Sequence, residues 1–540
     1  MLDLNQIRYP VRYTTFFIAL AGLCFSALVV LASGQGWVML LLFTALSAVG
    51  VHDLLQTHHA ILRNYPILGH MRFLLEFIRP EIRQYFIENE SEAAPFSRAQ
   101  RSLVYARAKG QSDKRPFGTQ LDVDQTGFEW LTHSMAPTTI ANHPFRTKVG
   151  NSACSQPYDI SLFNISAMSF GALSANAIMA LNQGAKMGGF AHDTGEGSIS
   201  RYHRIHGGDL IWEIGSGYFG CRDDQGRFSP ERFVVQAREP QVRMIEIKLS
   251  QGAKPGHGGV LPAAKVTPEI AEARGVPLGA DCVSPAAHSS FSTPTELLEF
   301  MQSLRELSQN KPVGFKLCIG HPWEWFGIAK AMLETRILPD FIVVDGAEGG
   351  TGAAPLEFSD HMGMPLKEGL RLVHNTLVGI GMRDHVKLGA SGKIISSFDM
   401  ARVLALGADW CNSARGFMFA LGCIQAQTCH TGNCPTGVTT QDPQRQMALV
   451  VPNKAERVKN FHQHTLESFK ELLQAAGLTS PEQLQAHHFF HRISQTETQT
   501  LAQMYPTLTN GALLKDSVAK LPEPFKTYWG KASAERFQWH

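Results

Sequence analysis

Three of the nine cysteines fall inside one short stretch, Leu421 to Pro443, as Cys423, Cys429 and Cys434. Their spacing is C-x5-C-x4-C, and Pro435 follows the last one. Thiolates are soft ligands, and three of them on a Gly-rich turn can converge on an iron–sulfur cluster. Three is one fewer than the usual four-cysteine set. That favours a three-iron cluster, or a four-iron cluster with a foreign fourth ligand. A Cys3His zinc site is the rival, because His430 lies between two of the cysteines. Three buried free thiols are the plain alternative.

A second group of residues sits in Gly-rich loops: GAEGGTG (346–352), SGK (391–393) and ARG (414–416). Small residues let backbone N–H groups approach an anion, and Lys393 or Arg415 adds positive charge. Such loops suit a phosphate-bearing cofactor. Lys316 ends an apolar run and is read as pointing to the mouth of the fold. A cation there must meet an anion, such as the N1–C2=O edge of a reduced flavin. The alternative is a strand-end lysine whose head reaches solvent. Lys248 and Lys254 flank Gln251-Gly252 and are read as lining the same mouth, whereas Lys265 reads as a surface residue. Glu196, in Thr194-Gly195-Glu196-Gly197, is either a substrate contact or a solvated loop charge. His257 is a candidate proton carrier, since an unperturbed imidazole titrates near neutrality; otherwise it is an ordinary loop histidine.

These loops need elements to hold them. From about Pro157, short apolar runs alternate with helical stretches. The predicted strands include Ile165–Ser169, Met244–Lys248, Val313–Leu317, Phe341–Asp345, Val386–Ala390 and Trp410–Ser413. The predicted helices include Thr295–Gln309, Glu324–Thr335, Leu366–Val378 and Ser397–Leu406. Such alternation implies an α/β fold with a parallel sheet, and its length suits a closed (β/α)8 barrel. The Gly-rich loops follow predicted strands, where barrel enzymes keep their chemistry. An open doubly wound sheet is the runner-up. No G-x-G-x-x-G lies between a strand and a helix with an acidic residue at the right distance, which counts against a Rossmann site.

Upstream, Thr14 to Ser33 and Trp37 to Val51 run without a charge, joined by Gly34-Gln35-Gly36. The first is long enough to span a bilayer, and the second becomes so when extended to Leu55 across Asp53. A signal peptide and a buried soluble hairpin are the rivals. Arg8, Arg12, Arg63 and Arg72 flank the outer ends and none lies in the connecting turn, so both ends and the rest of the chain are expected on the cytoplasmic side of the inner membrane. Ile61 to Glu88 reads as helical on either side of Pro80, lying on the membrane surface or packing on the catalytic domain; Asn89 to Asp122 reads as a polar arm. Downstream, Ala455 to Ala476 and Ser480 to Ile493 read as helices, His487 to His491 as a packed surface, and the rest as a wrapped tail. The expected divisions are 1–56, a membrane hairpin; 57–150, an amphipathic and connecting arm; 151–475, the barrel; and 476–540, a helical tail. A net charge of +2 gives no reason to expect nucleic acid, and the odd, sparse cysteines form no disulfide framework.

Five motifs carry a resemblance. ISAMSFGALS (165–174), DTGEG (193–197), IEIKLSQGAKPGHGG (245–259), VDGAEGGTGAAP (344–355) and GCIQAQTCHTGNCPTGVTTQDP (422–443) resemble the central FMN and [3Fe–4S] barrel of the glutamate synthase large subunit. The resemblance covers roughly residues 150 to 475, in order. It implies FMN at the barrel mouth and a [3Fe–4S] cluster on Cys423, Cys429 and Cys434. It also implies reductive amination of 2-oxoglutarate or a related keto or imino acid. Ala167, Met168 and Ser169 would lie against the isoalloxazine, and Gln251 and Lys316 would meet its pyrimidine edge. Gly350, Thr351, Ser391, Gly392, Ala414 and Arg415 would surround the phosphate, with Lys316, Glu196 and His257 as the catalytic candidates. The cluster would accept electrons from a ferredoxin or a reductase subunit, or pass them toward a membrane carrier.

Two departures stand out. His257 replaces the acidic residue of the family's GEGG, and CIGHPWEWFG (318–327) replaces a segment that helps to bind the keto acid. The family's glutaminase domain is not seen in this sequence, so ammonia is expected free or from a separate amidotransferase. The architecture resembles membrane-anchored, stand-alone proteins of this type. Rival functions are an electron-transfer module without substrate chemistry, an amino-acid dehydrogenase with a different substrate, and a zinc-stabilised barrel acting on a phosphorylated substrate.

Overall fold

The computed structural model describes residues 11–88, 94–351, 354–515 and 517–539. The expectations for Arg8, for residues 89–93 of the polar arm and for Gly352 lie outside the described residues. The chain forms two compact units, Met1–Glu92 and Ala93–His540.

The first unit begins with α1 (Thr14–Ser33) and α2 (Trp37–Leu55), two helices long and apolar enough to cross a bilayer. Large apolar side chains such as Phe25, Leu28, Leu31, Val38 and Leu41 point outward. Asp53, in the last turn of α2, is fully buried. Its carboxylate accepts from the Ile67 N–H at 2.9 Å and pairs with His70 Nε2 at 2.9 Å. Thr15 Oγ1 donates to the Pro66 carbonyl at 2.8 Å. These bonds fasten the start of α3 (Gly69–Ile82) to one end of each apolar helix. α3 continues through Pro80 and passes into a π-helical turn, Arg83–Ile87. Proline has no N–H to give the preceding turn, and the wider turn follows directly.

The second unit is built on a closed, all-parallel barrel. Its strands are β1 (Phe163–Ile165), β2 (His192–Asp193), β3 (Leu210–Ile214), β4 (Val242–Lys248), β5 (Val313–Leu317), β6 (Phe341–Asp345), β7 (Lys387–Ser391) and β8 (Trp410–Ser413). They pair in chain order, and β8 closes on β1 through Cys411↔Phe163, Asn412↔Asn164 and Ser413↔Ile165. Closure rules out the open doubly wound alternative. Strands buried on both faces show as near-continuous apolar runs, and β5, β6 and β8 fall where such runs predict them. β1 ends at Ile165, so Ser166 to Ser169, expected as strand, form the loop that follows it. β2 and β3 were not among the predicted strands.

Helices pack around the barrel. Among them are α4 (Arg98–Ala108), α5 (Ala175–Gly188), α6 (Arg415–Leu421) and α7 (Val451–Ala475). Glu129–Leu131 pairs antiparallel with Phe489–Arg492, which pairs with Thr498–Thr500. Two expectations are corrected here. The segment 57–150 is divided between the two units, and the tail contributes strands as well as short helices. The helix expected over Ser480–Ile493 is instead two 3-10 turns and a strand. Its partner lies far away in sequence, where Glu129 binds Lys367, Arg402 and His491 together.

Candidate active site

The C-terminal ends of the strands carry the loops singled out from the sequence. Ala167, Met168 and Ser169 follow β1. Gly195 follows β2 and lies so close to this loop that an added Cβ would stand 2.7 Å from the Ser169 amide nitrogen. Ser166 Oγ lies 3.3 Å from Ser391 Oγ at the end of β7, and the Ser166 N–H donates to the Ser413 carbonyl at the end of β8. Gln251 and Gly252 follow β4. The Gly252 N–H donates to Asp345 Oδ2 at 2.8 Å, and a Cβ there would meet the Gly346 carbonyl oxygen at 1.8 Å. Only glycine permits that approach.

Gly350 and Thr351 follow β6. Arg415, the first residue of α6, donates to the Gly350 carbonyl at 3.1 Å. The loops after β6 and β8 therefore meet, with Ser391 at the end of the strand between them and Gly392 just beyond it. Among the described residues, a Cβ built on Gly350 has only the Arg415 guanidinium within 4 Å, at 3.9 Å, beside a Gly-rich backbone. That cradle fits a phosphate group. Ala414 lies half-buried beside it, while Lys393 is exposed and reaches over the Phe96 ring.

The charged candidates separate into two layers. Glu196 is neither solvated nor free: its Oε2 lies 3.0 Å from Lys248 Nζ. Burial pushes its carboxyl up, but Lys248 foremost, with Arg274 and Lys254, brings it down to about 2. Lys254 is buried and donates to the Gly258 carbonyl at 3.0 Å. His257 is not brought into this pair. Its Nδ1 lies 2.8 Å from the Gly258 carbonyl and its ring packs edge-on against Phe358.

Lys316 lies deeper than expected. It is 4% exposed, hydrogen-bonded to the Glu213 carboxylate and 3.7 Å from Glu246 Oε1. The solvent-reaching alternative is replaced by an ion pair inside the barrel.

Sequence reasoning missed Glu213, Glu246 and His288. The two glutamates left a signal: each interrupts an apolar strand, LIWEI or VRMIEIK, and a buried carboxylate needs a partner. His288 left none. Its Nε2 lies 2.9 Å from the Lys248 carbonyl and its Nδ1 3.1 Å from the Tyr218 hydroxyl, and burial lowers it to about 4.

The cysteine stretch folds against the loop after β1. Ser174 donates from N–H to the Val438 carbonyl and from Oγ to the Gly437 carbonyl, and Gln441 Nε2 donates to the Gly171 and Leu173 carbonyls. Tyr105 of α4 donates to the Cys423 carbonyl at 2.6 Å. Cys423 and Cys434 are buried and Cys429 is half-buried. Burial pushes Cys423 up to about 11, with smaller contributions from Cys429 and Cys434. Burial also raises Cys434, but hydrogen bonds from Thr436 and Thr439 bring it down to about 7. Lys265, expected at the surface, is half-buried and donates to the Cys429 carbonyl at 2.8 Å. His430 is exposed. Three thiols on one loop, one of them close to thiolate at neutral pH, form a donor set that fits an iron–sulfur centre.

Residues 137–479 match the family model described as the conserved region in glutamate synthase. The chain is 39% identical over 483 residues to the glutamate synthase large subunit-like protein YerD of Bacillus subtilis, covering 82% of this chain and 91% of that protein. It is 34% identical over 364 residues to the archaeal glutamate synthase [NADPH] of Methanocaldococcus jannaschii, covering 67% of each. It is 32% identical over 330 residues to the glutamate synthase [NADPH] large chain of Bacillus subtilis, covering 60% of this chain and 20% of that one. With the conserved region matched across the whole barrel and its cysteine loop, the chain belongs to the glutamate synthase family.

Proposed function

We propose that this chain is an FMN- and [3Fe–4S]-dependent oxidoreductase of glutamate synthase type, held in the inner membrane by α1 and α2 with its barrel on the cytoplasmic side. It carries out reductive amination of 2-oxoglutarate or a related keto or imino acid, using ammonia from another source. The observation that carries this reading is the fastening of the three-cysteine loop onto the loop after β1, at a mouth that also holds a phosphate cradle. When bound, the flavin exchanges electrons with the substrate and the cluster relays them one at a time. The chain's own residues do the rest. Gly350, Thr351, Ser391, Gly392, Ala414 and Arg415 hold the phosphate, and Ala167, Met168, Ser169 and Gln251 line the ring. Cys423, Cys429 and Cys434 hold the cluster.

The mouth also speaks for an anionic substrate. Lys248, Lys254 and Arg274 act together on the Glu196 carboxylate, a set of cations that a dicarboxylate could share. Membrane attachment is supported by the outward apolar faces of α1 and α2, which match lipid better than water. A ferredoxin, a reductase subunit or a membrane carrier supplies the electrons. The test is rapid mixing of the anaerobically reduced protein with 2-oxoglutarate and ammonium. Flavin reoxidation within turnover times is expected. Reoxidation by an artificial acceptor but by no keto acid would instead favour an electron-transfer module.

A further inference from the structure

Five neighbouring strands bring charged side chains into one layer just beneath the mouth: Asp193 from β2, Glu213 from β3, Glu246 from β4, Lys316 from β5 and Asp345 from β6. Carboxylate oxygens of Asp193, Glu213 and Glu246 lie within 4.8 Å of one another, and all three residues are buried. The ammonium of Lys316 is the cation of this group, bonded to Glu213 and 3.7 Å from Glu246. The other groups facing the trio are already engaged. Asp345 accepts from the Gly252 N–H and Lys248 is paired with Glu196; within the trio, Asp193 accepts from the Gly195 N–H and Glu213 from Lys316. Glu246 differs from them: neither of its oxygens has a hydrogen-bond partner, and the residue is 0% exposed.

Three crowded carboxylates therefore face one ammonium in a buried layer. A buried carboxylate without a counter-charge costs several kcal/mol, and a group so placed neutralises itself by binding a proton. We propose that Asp193 and Glu246 hold one proton between them at neutral pH, and that the trio takes a second from solvent when negative charge at the mouth draws Lys316 off Glu213. The second step rests on the flavin reading above. It balances simply: a solvent proton binds a carboxylate oxygen as the ammonium leaves, and the layer keeps its net charge. The shared proton thereby frees Lys316 to act as a movable cation. Two directions agree with this. Burial and the charge of Asp193 push Glu246 well up, and burial and the charge of Glu213 bring Asp193 up to about 7. Two titratable groups this close titrate as a pair.

Infrared spectroscopy of the full chain as purified tests the resting proton whether or not flavin is present. At neutral pH we expect the carbonyl band of a buried protonated carboxyl that shifts in heavy water. It should be lost in Glu246→Gln or Asp193→Asn, according to which oxygen carries the proton. Lys316→Met should raise the pH at which the band disappears. That variant keeps the test open if an amide variant does not fold. No band in the wild type, or a band unchanged in all three variants, overturns the proposal. Proton uptake on flavin reduction, followed in weakly buffered solution, tests the second step. Less uptake in Glu246→Gln than in the wild type supports it, and equal uptake overturns it. Absence of flavin would refute the functional reading while leaving the infrared result to stand by itself.

Discussion

The Glu196–Lys248 pair ties a single carboxyl to stability and, on the proposed function, to substrate handling. Its folded value of about 2 lies below the ordinary 4.5. A carboxyl depressed in the folded state stabilises the fold above its unfolded value, and that stability is lost as pH falls through the folded value. Thermal unfolding of the wild type should therefore weaken between pH 4.5 and about 2, and Glu196→Gln should flatten that part of the profile. The substitution also strands a nearly buried ammonium, at a cost of about 3–5 kcal/mol near neutrality. A variant as stable as the wild type would show that Lys248 finds water or another partner. This pair was not legible in the sequence, because its members come from the ends of β2 and β4 and nothing local links them. The buried glutamates were half legible. An acid inside an apolar run announces that a partner exists, but not that the partner is Lys316 on β5.

At the level of elements, the loops work because their backbones touch. Gly252→Ala would drive a methyl group into the Gly346 carbonyl, which lies 1.8 Å from the ideal Cβ position. The strand ends must then move apart, with an expected loss of about 1–3 kcal/mol and weaker flavin retention on gel filtration. Retained flavin at wild-type stability would mean that the two loops can separate freely. Gln441→Leu removes both donors to the Gly171 and Leu173 carbonyls. Faster hydrogen exchange across residues 422–442 is expected, with the barrel strands unchanged. Long apolar runs made β5, β6 and β8 readable from sequence. β2 was not readable, because two residues cannot show a period, and β3 is broken by Glu213. The Ser480-Pro481 pair imitates a helix start, but the strand that follows is fixed by pairing with Glu129–Leu131, a contact that no local pattern reveals.

As a whole, the molecule joins an apolar hairpin unit to a barrel unit. The two apolar helices were legible because each is a long charge-free run, and both start where the sequence places them. Deleting residues 1–56 is expected to move the protein from the carbonate-resistant membrane fraction to the soluble fraction, with the barrel still folded. A full chain that is released by carbonate would count against insertion. Barrel closure was legible from strand–helix alternation, and the family motifs pointed to the cysteine loop. What alternation could not show is that this loop is fastened to β1 through Ser174 and Gln441. On the proposed function, that fastening would hold a cluster on this loop beside the loop that lines the flavin. The most direct measurement is an anaerobic reductive titration of the purified full chain, followed together by visible absorption and electron paramagnetic resonance. Flavin bands over a broad sulfur-to-iron absorption are expected, with a cluster signal present when oxidised and lost on reduction. In Cys434→Ala the signal should vanish while the flavin remains. A colourless protein with stoichiometric zinc would contradict the redox mechanism and leave only the fold.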